Sequence, residues 1–230
     1  MNTVLITGAN RGIGLENTRT FVTRGIHVFA AVRSPKEADD LKALAEGNPG
    51  LITVLGYDAV NPDAPAQLKA AVGDTPIDLL LANAGAMGGS KQTFGAVDVE
   101  DVIQLVRINS LAPLKLAEAF ADNVARSDRK LIAFQSSLMG SIGDSSGGYY
   151  AYRVSKAALN MVAKGVANDL KSRGIIVVTM HPGWVKTRMG GAGAPLTVEQ
   201  SVAGQQRLLD RLIMKDSGHF FNYDGKELPW

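Results

Sequence analysis

The sequence predicts one α/β domain in which a parallel sheet of about seven strands is wound in both directions and covered by helices on both faces. Short apolar runs alternate with longer segments of helical period along all 230 residues. The strand candidates are continuously apolar, as expected for strands buried on both faces. No linker, low-complexity segment or internal repeat divides the chain, so residues 1–230 are expected to form a single doubly wound domain.

Each element follows from its hydrophobic period. The short apolar runs predict strands at 4–7, 27–32, 51–55, 77–82, 130–134 and 175–180, with a last short strand at 219–221. The helical periods between them predict helices at about 12–24, 35–46, 62–72, 97–125, 149–171 and 198–212. Ligands of such sheets bind beyond the carboxyl ends of the strands, so the loops that follow the strands are the expected functional positions.

Composition excludes several classes of function. Apolar residues make up 46% and charged residues 20%, there is no cysteine, and the net charge of +2 comes from scattered basic residues. No thiolate chemistry, cysteine-ligated metal or nucleic-acid stripe is therefore expected. The three histidines, His27, His181 and His219, are far apart, and no metal site is predicted. The N-terminus lacks the features of a signal peptide and no run is long enough to cross a membrane, so we expect a cytoplasmic protein.

The loop after the first strand has the spacing G-x-x-x-G-x-G and opens the first helix. Glycines let a backbone approach a pyrophosphate, and a helix N-terminus offers free N–H groups. Glycines at a tight turn can also be purely structural, but the position after strand one favours a Rossmann-type dinucleotide site. The candidate cofactor-binding residues of this loop are Gly8, Asn10, Arg11, Gly12, Ile13 and Gly14.

The end of the second strand indicates which dinucleotide is bound. NAD sites usually carry an acidic residue there, whereas this strand ends in Arg33. Arginine donates two parallel hydrogen bonds to a phosphate, and Arg11 could reach the same group. The absence of the acid favours NADP(H) over two merely exposed arginines. Asp58, beside Ala59, could accept from the adenine amino group or could simply close a turn. Small residues follow the fourth strand where a cofactor would pass, at Asn83, Ala84 and Gly85.

The segment GGYYAYRVSK places Tyr152 four residues before Lys156, on one face of a helix. A nearby ammonium favours the phenolate, so such a pair can exchange a proton with a carbonyl or an alcohol. Tyr150 lies off that face, and Tyr149 lies two turns from the lysine. The spacing alone is common on amphipathic helices; its place after a serine-bearing loop gives it weight.

Taken together, these motifs resemble those of the short-chain dehydrogenase/reductase family, and the resemblance covers essentially the whole chain. T-G-x-x-x-G-x-G at 7–14, N-A-G at 83–85, Y-x-x-x-K at 152–156 and P-G at 182–183 occur in the family's order. The segments HPGWVKTRMGG and SGHFFNYDGKELPW are similar to the C-factor-like carbonyl reductases of that family.

The resemblance implies a role for each matched residue. Tyr152 would be the acid/base, Ser137 would bond the substrate carbonyl, Asn109 would hold a water in a proton relay, and Lys156 would bind the nicotinamide ribose and lower the pKa of the tyrosine. Three of these residues could instead have a purely structural role. Ser137 could cap the end of a strand, Asn109 could bond a backbone group, and Lys156 could lie on an exposed helix face. Ser136 and Ser141 are weaker candidates than Ser137. The implied cofactor contacts near the sixth strand are Pro182, Gly183, Val185 and Thr187.

Two departures from the family pattern affect the substrate side. Ser137 precedes Tyr152 by fifteen residues where thirteen is commoner, and the extra residues fall within 143–148. The segment at about 187–198 is short and glycine-containing, so we expect a flexible lid and a site open to bulky substrates. The pocket candidates are Leu138, Met139, Tyr149, Trp184 and Met189, which favour a small hydrophobic ketone, aldehyde or alcohol.

The resemblance leaves two functions open. One is an NADPH-dependent carbonyl reductase, working reversibly, or a related alcohol or steroid dehydrogenase. The other is a nucleotide-binding signalling or regulatory protein of the C-factor type. It also implies a homodimer or homotetramer built on the long helices, with no nucleic acid or membrane as partner.

Overall fold

The computed structural model describes residues 1–230, and its strands form one parallel sheet in the order β3-β2-β1-β4-β5-β6-β7. The strands are β1 Thr3–Thr7, β2 His27–Val32, β3 Ile52–Gly56, β4 Leu79–Ala82, β5 Leu131–Gln135, β6 Ile176–His181 and β7 Phe220–Asn222. All seven predicted strands are confirmed, with ends that shift by one or two residues. The predicted doubly wound α/β class is therefore confirmed as well.

The direction of winding reverses beside β1. The chain runs outward through β2 and β3, then returns to add β4 on the other side of β1 and continues to β7. Ile6 of β1 thus has Ala30 of β2 on one side and Leu81 of β4 on the other. The loops after β1 and β4 separate at this point and leave a crevice, which is where dinucleotides bind in such sheets.

Helices cover both faces of the sheet. They are α1 Gly12–Thr23, α2 Asp39–Glu46, α3 Ala64–Val72, α4 Val99–Val106, α5 Ala112–Ala125, α6 Tyr150–Asp169 and α7 Val198–Arg211. On one face, α1, α2 and α7 bury side chains such as Phe21, Leu41 and Leu209. On the other, α3, α5 and α6 bury side chains such as Phe120 and Leu159. The central strands β1, β2, β4, β5 and β6 are thus enclosed by apolar side chains on both faces, whereas the edge strand β3 is only partly buried.

The long helical segment expected at about 97–125 runs without interruption from Val99 to Ala125, but it is not α-helical throughout. The structure has α4, then a π-helical segment Arg107–Leu111, then α5. Pro113 explains the break, because proline has no N–H to donate to the carbonyl of Asn109, four residues earlier. The backbone hydrogen bonds of the helix span five residues there instead of four, and such π-helical turns are frequent at functional positions. The consequence is that Asn109 lies inside the irregular segment and its carbonyl lacks its ordinary helical donor.

Other helix ends differ for local reasons. Pro35–Glu37 forms a 3₁₀ turn ahead of α2, and α3 begins at Ala64 rather than at residue 62. α6 ends at Asp169 and is followed by a separate 3₁₀ turn, Lys171–Arg173. No helix of this fold is both long and apolar enough to cross a membrane.

Candidate active site

The glycine loop between β1 and α1 is braced by Asn83 from the end of β4. The Asn83 amide nitrogen donates to the carbonyls of Thr7 at 2.9 Å and Gly8 at 3.3 Å, and the hydroxyl of Thr7 accepts from the Asn83 backbone N–H at 3.1 Å. A side chain at Gly14 would overlap the Gly8 carbonyl oxygen. Glycine at 14 is therefore needed to close the loop on itself, and Asn83 serves the loop rather than facing a ligand directly.

The first turn of α1 keeps its N–H groups available. Its cap residue Arg11 is extended, makes no side-chain capping bond, and no acidic residue follows in the first turn. Asn10 lies in the turn before it, and Ile13 lies in the first turn of the helix. Thr187, from the segment after β6, lies directly over this turn: a Cβ built on Gly12 would be 3.3 Å from the Thr187 methyl carbon. The predicted phosphate loop and the predicted nicotinamide contact thus meet.

Three arginines surround this crevice without a counterion. Arg11, Arg33 and Arg188 form no ion pair in the structure. Partial burial lowers the pKa of Arg11, and the nearby charges of Arg188 and Arg33 lower it further. Like charges held together without a partner favour an anionic ligand. Arg11 and Arg33 were predicted from the sequence; Arg188 was not, because it is remote from both along the chain.

On the adenine side, Asp58 closes a turn. Its carboxylate Oδ1 accepts from the Val60 N–H at 3.2 Å, which is the alternative role considered for it. Ala59 and Ala84 line a small apolar recess at the switch point, together with Ile108. Small side chains leave this recess open beside the crevice.

Tyr152 and Ser137 meet at the carboxyl end of β5. Tyr152 is buried in the first turn of α6, and Ser137 caps the 3₁₀ turn Leu138–Gly140, with its Oγ accepting from the Met139 N–H at 3.2 Å. Burial raises the pKa of Tyr152 to about 12, against a smaller lowering of that pKa by the nearby hydroxyl of Ser137. Ser136 and Ser141 are engaged elsewhere, Ser136 with Asn160 and Ser141 with Trp230. Of the three serines, only Ser137 affects the pKa of the phenol.

Lys156 lies on the buried face of α6, one turn after Tyr152, and not on an exposed face. Its ammonium donates to the Gln135 carbonyl at 2.9 Å and lies 5.8 Å from the centroid of the Tyr152 ring. Burial lowers the pKa of Lys156 to about 8. The lowering of the tyrosine pKa that the resemblance implies is not produced by these two side chains alone, since at this distance the effect of burial on Tyr152 is the larger one.

The side chain of Asn109 is fully occupied by the protein. Its Oδ1 accepts from the Ala86 N–H at 2.8 Å, and its Nδ2 donates to the Ala86 carbonyl and the Ser155 hydroxyl, both at 2.9 Å. This matches the alternative of a backbone-binding asparagine. A Cβ on Gly85 would be 3.1 Å from Asn109 Oδ1 and 3.5 Å from Lys156 Nζ, so Gly85 leaves the space between them. The backbone carbonyl of Asn109 lacks its ordinary helical donor, because position 113 is a proline.

The segment after β6 is more closely fastened than its glycines suggest. Lys186 N–H donates to the Leu196 carbonyl at 2.8 Å, and the Thr187 hydroxyl accepts from the Gly190 N–H at 3.0 Å. A side chain at Gly190 would overlap the Val185 carbonyl. The glycine at 190 thus permits close packing, and hydrogen bonds connect the two ends of the segment in which a lid is expected. Pro182, Gly183 and Val185 form its base, where Val185 pairs with Leu196.

The predicted substrate residues fall into two groups. Met139 packs against the cluster of Leu105 and Tyr152, and Leu138 is its neighbour on the 3₁₀ turn. Tyr149, Trp184 and Met189 are 54%, 58% and 50% exposed. Trp184 is nonetheless fixed, since its indole N–H donates to the Gly190 carbonyl at 2.8 Å. Two candidates therefore lie beside the phenol, and three lie at the surface.

Two residues of the site have no motif that would reveal them. Ser155 donates to the Tyr152 carbonyl at 2.8 Å while accepting from Asn109, and Gln92 accepts from the Tyr152 N–H at 2.9 Å. Ser155 is visible in sequence only as a small residue on the inner face of α6. Gln92 is an isolated amide in a loop, and only tertiary contact gives it a role.

Comparison with known proteins agrees with this geometry. Residues 2–194 match the family model described as short chain dehydrogenase. C-signal of Myxococcus xanthus is 42% identical over 156 residues, which are 67% of this chain and 93% of that protein. NADPH-bound carbonyl reductase from chicken fatty liver superposes with a TM-score of 0.94 at 34% identity, covering 100% of this chain and 99% of that one.

A second solved structure is similar in the same way. Carbonyl reductase Sniffer of D. melanogaster superposes with a TM-score of 0.91 at 35% identity, covering 100% of both chains. The family model spans β1 to β6 and helix α6, and both structural matches extend over the full length of the chain. This chain belongs to the short-chain dehydrogenase/reductase family, within the group that is similar to C-signal and the carbonyl reductases.

Proposed function

We propose that this protein is an NADP(H)-dependent carbonyl reductase that reduces small hydrophobic ketones or aldehydes to alcohols, and runs in reverse with oxidised cofactor. One observation carries the proposal: the buried phenol of Tyr152 lies beside the Ser137 hydroxyl and one helical turn from the buried ammonium of Lys156. A purely structural tyrosine has no need of a buried lysine on the same face. Membership of an oxidoreductase family supports the same reading.

The residues around the crevice fit a phosphorylated dinucleotide. Gly12 and Gly14 leave a cradle that a side chain would fill, α1 offers its free N–H groups, and the cluster of Arg11, Arg33 and Arg188 suits the pyrophosphate and an additional phosphate. NADPH, when bound, supplies the hydride. The solved structures of relatives with NADPH bound support this cofactor.

The protein's own residues supply the proton and the orientation. The hydroxyls of Ser137 and Tyr152 bind the substrate oxygen, and both can donate to it. At neutral pH Tyr152 carries its proton, because its pKa is about 12, and it gives that proton to the oxygen as the alcohol forms. Lys156 then stabilises the phenolate that remains, and a water at the Asn109 carbonyl can return the proton. In the oxidative direction the same proton is released, so higher pH favours that direction.

The test is a ketone and aldehyde panel assayed by the loss of NADPH, with cofactor binding measured in parallel. Turnover of hydrophobic carbonyls together with tight NADPH binding supports the proposal. Tight binding of the cofactor with no turnover across the panel would contradict it. A series of aryl ketones tests the substrate site. KM should change little as the substituent on the ketone becomes larger, because the outer pocket candidates are exposed.

A signalling or regulatory protein that binds the nucleotide is the second candidate. The 42% identical relative is named C-signal, and that name is the observation in favour of it. The buried pair of Tyr152 and Lys156 on one face of α6 supports the enzyme instead, since a role in binding alone would not need it. The same panel separates the two, since only the enzyme consumes NADPH in proportion to the ketone supplied.

Association through the long helices remains part of the proposal, as a homodimer or homotetramer. Exposed apolar side chains support it: Val99 and Ile103 on α4 are 64% and 41% exposed, and Val154 and Met161 on α6 are 45% and 73% exposed. Such side chains are typical of interfaces when they share one surface. Light scattering coupled to size exclusion gives the assembly directly, and a monomer would contradict this part.

A further inference from the structure

The N-terminus of the catalytic helix α6 has no cap of its own. Tyr149 occupies the cap position, and its side chain makes no capping hydrogen bond. The chain enters the helix in a left-handed conformation, with φ of 77° at Gly147, 65° at Gly148 and 48° at Tyr149. The first N–H groups of a helix have no helical acceptors. Since Ala151 and Tyr152 are buried, acceptors for this turn must come from elsewhere in the fold.

Gln92, in the loop between β4 and α4, provides two of them. Its side-chain Oε1 accepts from the Tyr152 N–H at 2.9 Å, and its backbone carbonyl accepts from the Tyr150 N–H at 2.9 Å. Counted from Tyr149 as the cap, Tyr152 is the third helical residue, whose N–H an ordinary serine or aspartate cap would bind. Gln92 therefore performs through a long-range contact the function that the residue at the cap position does not.

Gln92 is itself held in one orientation. It is 4% exposed, and its amide Nε2 donates to the carbonyls of Met87 and Gly89, both at 2.8 Å. Gly89 N–H in turn donates to a carboxylate oxygen of Asp101 on α4, also at 2.8 Å. The side chain thus needs both an acceptor and two donors at this place. An amide satisfies all three, whereas a carboxylate or an apolar side chain does not.

The other side of the same residue is held as well. The Tyr152 carbonyl accepts from the Ser155 hydroxyl at 2.8 Å, and Ser155 accepts from Asn109 at 2.9 Å. Side chains outside the helix ladder therefore fix the N–H of Tyr152 through Gln92 and its carbonyl through Ser155. No hydrogen bond joins Gln92 to the glycine loop or to the arginine cluster.

We propose that Gln92 is a positioning residue, which caps the catalytic helix from the loop after β4 and fixes Tyr152 for proton transfer. This inference rests on the proposed function, since it requires Tyr152 to be the proton donor. A misplacement of about 1 Å can cost about 10²-fold in rate. Loss of the cap should therefore appear in kcat and leave the binding of NADPH unchanged.

The experiment compares Gln92→Met with a matched control. Methionine keeps the length and loses the amide, and we expect kcat for ketone reduction to fall about 10- to 100-fold, with the NADPH Kd unchanged. Gln92→Glu keeps an acceptor for the Tyr152 N–H, so its kcat should exceed that of Gln92→Met. The control is Asn123→Leu. Asn123 is a buried amide that also donates to two loop carbonyls, those of Gly73 and Thr75, but at the C-terminal end of α5 and remote from Tyr152.

The outcomes separate the two proposals. Asn123→Leu should lose thermal stability but keep kcat; if both variants lose kcat in proportion to stability, the positioning role is refuted. If Gln92→Met keeps wild-type kcat while Tyr152→Phe loses it, only the role of Gln92 fails. If Tyr152→Phe also keeps kcat, the proposed function fails with it.

Amide exchange in the wild-type protein covers the case in which Gln92→Met does not fold. The N–H of Tyr150 and Tyr152 have acceptors on Gln92, whereas the N–H of Ala151 has none. We expect the Tyr150 and Tyr152 amides to exchange more slowly than that of Ala151. Exchange of the Tyr152 amide as fast as that of Ala151 would overturn the inference.

Discussion

Lys156 lies one helical turn beyond Tyr152, yet its ammonium donates to the Gln135 carbonyl at 2.9 Å and stands 5.8 Å from the centroid of the phenol ring. Burial raises the pKa of Tyr152 to about 12 and lowers that of Lys156 to about 8. Both shifts favour the uncharged side chain. The protein thus holds a protonated phenol at neutral pH, which is the state needed to give a proton to a carbonyl oxygen, beside an ammonium that is costly to keep buried.

Removal of the phenol hydroxyl should abolish proton donation while leaving the packing intact. We expect Tyr152→Phe to lower kcat for ketone reduction by about 10²- to 10⁴-fold, the range typical of general acid catalysis. Steady-state kinetics give kcat, and fluorescence titration should show that NADPH still binds. Tyr150→Phe is the matched control, since Tyr150 is not tied to Ser137. Most of the wild-type kcat surviving in Tyr152→Phe would show that the phenol is not the acid.

The buried ammonium of Lys156 should cost stability in a pH-dependent way. Because its folded pKa of about 8 lies below the ordinary value of 10.5, the unfolded chain binds the proton more tightly. Wild-type stability should therefore rise between about pH 8 and 10.5 and carry the full penalty below that window. Lys156→Met removes this penalty. Near pH 7 the free energy of unfolding of the variant should therefore exceed that of the wild type by at most about 3 kcal/mol, while activity is lost.

Denaturant unfolding at several pH values measures this effect. The stability advantage of Lys156→Met over the wild type should shrink as the pH rises from about 8 to 10.5. The lost hydrogen bond to Gln135 offsets part of the gain but does not depend on pH in the same way. An advantage that stays constant across that window would mean that the ammonium is not desolvated.

The cofactor preference should depend on Arg33. Arg33→Asp places a carboxylate where the sequence pattern of NAD sites has one and repels an additional phosphate. We expect kcat/KM with NADPH to fall by about 10- to 100-fold, as for loss of a hydrogen bond to a charged group, while kcat/KM with NADH falls less or rises. The ratio of the two values is the measurement. A wild-type enzyme that prefers NADH would contradict the assignment before any variant is made.

Arg188 should add to cofactor affinity from the opposite side of the crevice. Its charge lowers the pKa of Arg11, so both guanidinium groups contribute positive potential to the same region. Arg188→Ala should raise the NADPH Kd by about 10-fold at low salt, and less at high salt, where screening weakens the contact. Lys186→Ala is the control, an exposed cation of the same loop that does not affect Arg11. Equal effects of the two variants on the NADPH Kd would show that Arg188 acts only as one of several surface charges.

Tyr149 remains a predicted wall of the substrate site. Its backbone is in the left-handed conformation, and its side chain is half exposed. The phenol therefore contributes little to the core. Tyr149→Ala should change the relative kcat/KM values across an aryl ketone series and leave those of small aliphatic ketones as they were. A uniform change across both series would return Tyr149 to a purely structural position.

Much of the site could be predicted from local pattern. The glycine loop, Arg33 and the Tyr152–Lys156 spacing each occupy a few consecutive residues next to a strand end, where their chemistry follows from position in a parallel sheet. Ser137 could be preferred over Ser136 by its context, and in the structure Ser136 bonds Asn160 whereas Ser137 lies near the phenol. The roles of Asp58 and Asn109 were left with alternatives, and their side chains bond the backbone in each case.

Contacts between segments that are distant along the chain could not be predicted from local patterns. Gln92 meets Tyr152 across 60 residues, and Thr187 covers Gly12 from the far side of the sheet. From the sequence, the glycine at 190 suggests flexibility. In the structure the Val185 carbonyl leaves no room there for a side chain. Flexibility and close packing both call for glycine, and only the neighbours in space distinguish them.

The sequence by itself determined the order of strands and helices and the chemical types at the strand ends, because hydrophobic period and residue spacing are properties of neighbours along the chain. Only the tertiary structure decided which backbone groups those side chains bind, how deeply Tyr152 and Lys156 are buried, and so which of their protonation states the protein favours. Those quantities depend on solvent exclusion by residues remote in sequence, such as Gln92 and Gln135, and no local pattern contains them.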